Sequence, residues 1–379
     1  MRSLDLARAA CERHHPGLLK ALAEEPLATR EAACSPVIDI FRAHGGPALL
    51  VPTQYGGLGV HALEAVQVTR AIGALSPSLA AGATMHNFTV AMLFQLAERL
   101  GAATAEQTEV LHRIAPERML LASGWAEGRT EQNILAPTVV ASPTEGGFLV
   151  NGAKKPCSLS GSMDLLTASA FLPDGNGTPQ LVILLVPAKA PGVSLHPFWG
   201  TGVLAAAQSD EVRLKDVFVP EHQVIRATPE DPGRLDDLQT AAFVWFELLV
   251  TSAYVGVAAT LTERVLERRR GSVSDRAALV VQLESAVALT EGMARAVDDG
   301  AAGDDAVAAV LVTRFAVQKA LAAVSDLAVE LLGGIAFIES PDIAYLSSAV
   351  RPLAFHPPSR TSTTEALVEY FAGGPLLLS

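Results

Sequence analysis

The chain has 379 residues, half of them apolar and 18% charged, which suits two or three domains with a substantial core and argues against long disorder. A formal net charge of -12, with no basic tail or Arg-rich stripe, argues against general binding to nucleic acid or to an anionic membrane. The three cysteines, Cys11, Cys34 and Cys157, have neither disulfide nor metal-ligand spacing; with the charged start from Met1 to Glu12 they predict a cytoplasmic protein that is not secreted.

Helical pattern runs from the start through Ala33 and again from Pro36 to His44. Val51-Pro52-Thr53-Gln54-Tyr55-Gly56-Gly57-Leu58-Gly59 breaks it with a proline and several glycines, so a loop is expected there. Two further helices are expected at His61 to Leu75 and Ser78 to Leu100. From about Leu120 to Val219 the rhythm changes to short strands and turns. Strands are expected at Met119 to Trp125, Thr138 to Ser142 and Phe148 to Gly152, then at Leu165 to Phe171 and Gln180 to Val186. Val193 to His196 and Asp210 to Val219 complete the set. Glu145-Gly146-Gly147 predicts a hairpin turn and Asn151-Gly152 another, an antiparallel signal that fits a β-barrel or sandwich.

Beyond Pro232 the chain turns helical again, with helices expected at Leu235 to Arg269, Asp275 to Asp298, Ala306 to Leu332 and Thr363 to Ala372. Gly333-Gly334 stops the third, and the four make an antiparallel bundle. Thr240 to Thr262 is long and apolar enough to span a bilayer, but Glu247 lies within it and no second such span is evident. A buried bundle helix, without membrane insertion, is the expectation.

Four stretches, in order and at sensible spacing, resemble the acyl-CoA dehydrogenase superfamily. The Val51 to Gly59 loop is similar to its "V-P-x-x-Y-G-G-L-G" signature, and Phe148 to Lys154 to its "G-G-Y-x-L-N-G-x-K" hairpin. Asp216-Val217-Phe218-Val219-Pro220 resembles "D-V-x-V-P", and Ala328-Val329-Glu330-Leu331-Leu332-Gly333-Gly334 resembles "A-x-Q-x-L-G-G". The resemblance implies an α+β fold: an N-terminal helical domain (residues 1–117), a middle β-domain (118–228) and a C-terminal four-helix bundle (229–379). It also implies FAD between the last two and a homodimer or homotetramer, because a neighbouring subunit helps bind the adenine-dinucleotide half. Carried over by position, Ser123, Trp125 and Ala126 would lie along the flavin and Ser158 near its N5 side. Gly333 and Gly334 would admit the pyrophosphate, and Gln282 would be a contact between subunits. Without the family, Trp125 reads as a core aromatic and Ser158 as a turn residue.

The departures from the family pattern bear on the reaction. Where the family commonly keeps a glutamate in a "Y-E-G-T" loop, this chain has Phe355-His356-Pro357-Pro358. The "T-E-P-x-x-G-S-D" loop reads Ala126 to Asn133 and keeps Glu127 and little else, while "R-D-A" becomes Ser347-Ser348-Ala349. The leading expectation is α,β-dehydrogenation of an acyl thioester on CoA or a carrier protein, with Glu247 or His356 as proton acceptor, Glu127 and Arg360 at the substrate and a separate electron acceptor. Glu247 reads equally well as the partner of an arginine across a subunit contact, and Arg351 and Arg360 either contact a phosphate or carboxylate of the substrate or are merely solvated. A second reading is a two-component flavin monooxygenase, which takes reduced flavin from a reductase, activates oxygen at the ring and uses His356 near neutral pH. A third is a catalytically silent subunit on the same fold. No metal spacing is present among the histidines.

Overall fold

The computed structural model describes residues 1–100, 105–128, 137–173, 179–226 and 237–378. The chain opens with helices α1 (Arg2–His14), α2 (Leu18–Glu24), α3 (Leu27–Arg30), α4 (Val37–Ala43), α5 (Ala62–Leu75), α6 (Pro77–Leu100) and α7 (Ala105–Ile114). On α1 the residues Leu4, Ala7, Ala10 and Cys11 recur at helical spacing, and the face they form is buried against α5. The Val51 to Gly59 loop is a compact turn, closed where Gly59 N–H donates to the Val51 carbonyl at 2.8 Å.

The middle of the chain is β1 (Leu121–Gly124), β2 (Val140–Thr144), β3 (Gly147–Cys157), β4 (Leu165–Pro173), β5 (Pro179–Pro187), β6 (Val193–His196), β7 (Asp210–Pro220) and β8 (Val224–Arg226). These form one eight-stranded mixed sheet in the order β6-β7-β3-β2-β4-β5-β8, with β1 parallel to β4. β4 is central: it pairs antiparallel with β5, runs parallel to β1 over Leu165 to Ala168, and meets β2 only at Phe171. The hairpin at Glu145-Gly146 joins β2 to β3 as expected. Asn151-Gly152, however, is no turn. β3 runs straight through it with a bulge, because Asn151 exchanges two hydrogen bonds with Asp216 of β7, at 2.9 and 3.1 Å. Gly152 takes φ +146 there, where a Cβ would meet Val139 at 2.6 Å.

The C-terminal region holds α8 (Asp237–Glu267), α9 (Val273–Asp298), α10 (Gly303–Leu332), two short helices α11 (Gly334–Glu339) and α12 (Pro341–Ala349), and α13 (Arg360–Phe371). Among the described residues three helices, rather than one, are long and apolar enough to cross a membrane: α8, α9 and α10. The apolar window of α8 is 83% buried in the fold, packed against α5, α6, α9 and α10, which accounts for its composition. α5 and α8 approach backbone to backbone: a Cβ on Gly73 would stand 2.2 Å from the Ala253 carbonyl oxygen, and one on Gly256 2.1 Å from that of Arg70. α13 is the least embedded long helix here, with Thr363 its buried residue. The architecture is therefore helical, then a mixed sheet, then helical.

Candidate active site

A cleft of about 940 Å³, counted with its open mouth, forms where α6, α8, the sheet and the loop before α13 converge. α6 contributes Ala81, Met85 and Phe88; α8 contributes Ala242, Phe243 and Phe246, one turn apart on one face. The sheet side contributes Ser123, Trp125 and Ala126 from the end of β1, and Ser158 and Ser209 from just beyond β3 and just before β7. Trp199 and Leu204 close another side, and His356 with Pro357 supplies the remaining wall. The lining holds no carboxylate among the described residues.

The cleft thus brings Ser123, Trp125 and Ala126 together with Ser158 and His356, three stretches that lie far apart in the chain. Trp125 is 8% exposed and its Nε1–H, buried, has no hydrogen-bond partner among the described residues. A buried donor of that kind costs about 1–3 kcal/mol unless something accepts from it. Ser158 and Ser209 hydrogen-bond each other through their hydroxyls at 2.9 Å and have capacity for further bonds. An orphaned indole donor, two hydroxyls and flat aromatic walls fit a planar, polar-edged ring such as an isoalloxazine.

His356 is held from two directions. Its Nε2 lies 2.8 Å from the Tyr254 hydroxyl on α8, and its backbone carbonyl accepts from Arg314 of α10. Arg314 also donates to the Leu353 carbonyl at 3.1 Å, so one guanidinium pins both ends of the turn preceding Pro357. Burial, with the Arg314 charge adding to it, lowers the His356 pKa to about 3, so the imidazole is neutral at ordinary pH. The ring also stands edge-on to Phe246, centroids 5.8 Å apart.

The other candidates are placed differently. Glu247 does not line the cleft. It is wholly buried, and both its carboxylate oxygens accept from Arg314 Nη1, at 2.7 and 2.9 Å, within the same chain rather than across a subunit contact. Burial pushes its carboxyl up, to about 7, and Arg314 opposes that shift. A carboxylate engaged in this way anchors the His356 loop, and its geometry does not suit proton abstraction from a substrate in the cleft. Glu127 is also occupied: it accepts from Lys154 at 2.7 Å and from the backbone of Thr138 and Val139, tying the end of β1 to β2 and β3. Burial pushes its carboxyl up, but the hydrogen bonds from Lys154 and Thr138 prevail and hold it at about 2. Positions 129–136, which complete that loop, lie outside the described residues.

Arg360 lines a separate cleft of about 990 Å³ with Lys319 and Arg351, and Arg351 pairs with Asp326 at 2.5 Å. Gln282, Gly333 and Gly334 also stand away from the His356 cleft. Gln282 is half-buried on α9 with Oε1 unpartnered among the described residues. Gly333 has φ +86, and around both glycines a Cβ would find open space. Gly333 and Gly334 were expected to admit the pyrophosphate and Gln282 to contact a second subunit, and all three lie outside the lining of this cleft. Tyr254, Arg314, Ser209, Phe246 and Trp199 were not anticipated. The signal for Arg314 is a lone charge in the apolar run of α10, and for Tyr254 its position seven residues, two turns, after Glu247.

The Acyl-CoA dehydrogenase, N-terminal domain family matches residues 4–111. The chain is 69% identical over 376 residues to an isobutylamine N-hydroxylase of Streptomyces viridifaciens, covering 99% of this chain and 100% of that protein. It is 26% identical to the amino sugar nitrososynthase DnmZ of Streptomyces peucetius, over 94% of this chain and 91% of that one. Among solved structures, the FAD complex of PigA superposes with a TM-score of 0.79 at 17% identity, over 98% of this chain and 97% of that one. The chain belongs to the acyl-CoA dehydrogenase superfamily.

Proposed function

We propose that this protein is a flavin-dependent N-hydroxylase of a small primary aliphatic amine, with FAD as the flavin, delivered reduced by a separate reductase. The observation that carries the reading is the 69% identity over essentially the whole of both chains to an isobutylamine N-hydroxylase. In the overall reaction the amine, dioxygen and reduced flavin become the N-hydroxylamine, water and oxidised flavin. An N–O bond forms, the O–O bond breaks, and the flavin loses two electrons and two protons. Reduced flavin, when bound, supplies the electrons that activate oxygen.

The rest is work for the chain's own residues. Trp125 Nε1–H, with the Ser158 and Ser209 hydroxyls, would hold the polar edge of the ring. Phe88, Phe243, Phe246 and Met85 give the amine's alkyl group an apolar seat and exclude water. Burying a branched four-carbon chain there contributes on the order of 2–3 kcal/mol.

Acyl-thioester dehydrogenation is less well supported. It needs a carboxylate or comparable base at the substrate's α-carbon, and the two acidic candidates, Glu247 and Glu127, are each held in an ion pair away from the lining. The experiment is direct. With a flavin reductase, its reductant and oxygen, the protein should convert isobutylamine to its hydroxylamine, and it should leave acyl-CoA unchanged. Anaerobic bleaching of bound FAD by an acyl thioester, with no amine oxidation, would replace this proposal with dehydrogenation.

A further inference from the structure

We propose that His356 is a fixed hydrogen-bond donor rather than a proton acceptor: Tyr254 sets its tautomer, so that Nδ1–H is the group offered to the cleft and the amine is taken up as its free base. The free-base half deepens the N-hydroxylase reading and rests on it; the tautomer half stands on geometry alone.

The Tyr254 hydroxyl decides the tautomer. It carries one proton, lies in the interior 1% exposed, and its recorded partner is His356 Nε2 at 2.8 Å. A buried O–H that donates to nothing costs about 1–3 kcal/mol, so the phenol donates and Nε2 accepts. A neutral imidazole that accepts at Nε2 carries its proton on Nδ1. Burial raises the Tyr254 pKa, with the Arg314 charge opposing, so the phenol keeps its proton throughout the working range.

The surroundings agree. The titratable and charged groups facing His356 are Tyr254 and the paired Glu247 on α8 and Arg314 on α10, while the sheet wall brings serines, an alanine and an indole. Arg314, bonded to the His356 backbone carbonyl, disfavours a second positive charge nearby, whether an imidazolium or a bound alkylammonium. An atom seated against His356 must therefore accept a hydrogen bond, and an oxygen atom does so. An ammonium offers only donors and finds no carboxylate in the lining among the described residues. His86, which is fully buried, holds the opposite tautomer: its Nδ1 accepts from Leu121 N–H at 3.1 Å and its Nε2–H donates to the Pro47 carbonyl at 2.9 Å.

Nitrogen NMR of protein labelled with 15N-histidine tests the tautomer without substrate, flavin or turnover, His356→Gln identifying the signal among the nine histidines. The expected result is a neutral Nδ1–H ring that does not titrate between pH 5.5 and 8.5, and conversion mainly to Nε2–H in Tyr254→Phe. An Nε2–H ring in the unaltered protein, or an imidazolium appearing above pH 5.5, overturns the proposal. With amine, kcat/KM should rise about tenfold per pH unit from 7 to 9, as the free-base fraction of an alkylamine does; a flat profile overturns the free-base half. Tyr254→Phe should lower hydroxylamine formed per flavin oxidised about tenfold while flavin affinity stays within twofold. The correct tautomer in a protein that oxidises no amine would leave the tautomer half standing and remove the N-hydroxylase reading, and the free-base half with it.

Discussion

Arg314 holds more of the site together than any residue that touches the cleft. It is fully buried, neutralises Glu247 through two hydrogen bonds, and caps the Leu353 and His356 carbonyls with its remaining terminal nitrogen. Removing one partner of a buried ion pair costs about 3–5 kcal/mol, because the other charge is left without compensation. Arg314→Met should therefore destabilise the protein by about that much, read from the midpoint of urea unfolding. Loss of under about 1 kcal/mol would mean the pair is not formed as described. Glu247 was visible in sequence as a charge inside an apolar helix. Its partner lies 67 residues away, and no local pattern joins the two. The same limit hid Tyr254, whose bond to His356 spans 102 residues.

At the level of elements, the site depends on how closely α5 and α8 approach, since α8 carries Phe246, Glu247 and Tyr254. Gly73 and Gly256 are reciprocal: each lets the partner helix's backbone occupy the space of its missing Cβ. Gly256→Ala would force the helices apart, and overpacking of this kind costs about 1–3 kcal/mol. The expected outcome is a lower unfolding midpoint with weaker flavin binding; an unchanged midpoint would show that the helices do not meet there. The long helices and alternating strands were legible because periodicity reports a buried face. α7, α11, α12 and β8 were not anticipated. Asn151-Gly152 misled: the local turn preference is real, but pairing with β7 along both sides of the dipeptide wins.

For the whole molecule, burial gives a pH dependence. His15 and His86 have pKa values lowered to about 4, and His356 to about 3, each mainly by burial. The unfolded chain protonates these rings below about 6.5. Between there and about pH 4 the unfolded state holds up to three more protons than the folded state at these rings, so stability falls as pH falls. Glu247, raised to about 7, works in the opposite direction with one proton. Glu127, held at about 2, adds its loss only below the usual carboxylate range. The net difference of about two protons corresponds to at most ~3 kcal/mol per pH unit. Heat unfolding should show Tm falling from pH 6.5 to 5, and a Tm that holds or rises over that window contradicts this burial of the imidazoles.

The family resemblance, carried by motifs such as Val51 to Gly59 and Phe148 to Lys154, was readable at this scale, whereas the reaction was not. The rebuilt loop at Phe355 to Pro358 removed the family's glutamate without showing what the remaining cleft would accept.

The claim that a cleft with no carboxylate among its described lining residues transfers oxygen to nitrogen is tested most directly with isotopic oxygen. Reduced flavin, isobutylamine and 18O2 supplied together should yield a hydroxylamine carrying one heavy oxygen atom on nitrogen. A product with oxygen drawn from water, or a desaturated product with no new oxygen, would contradict the account.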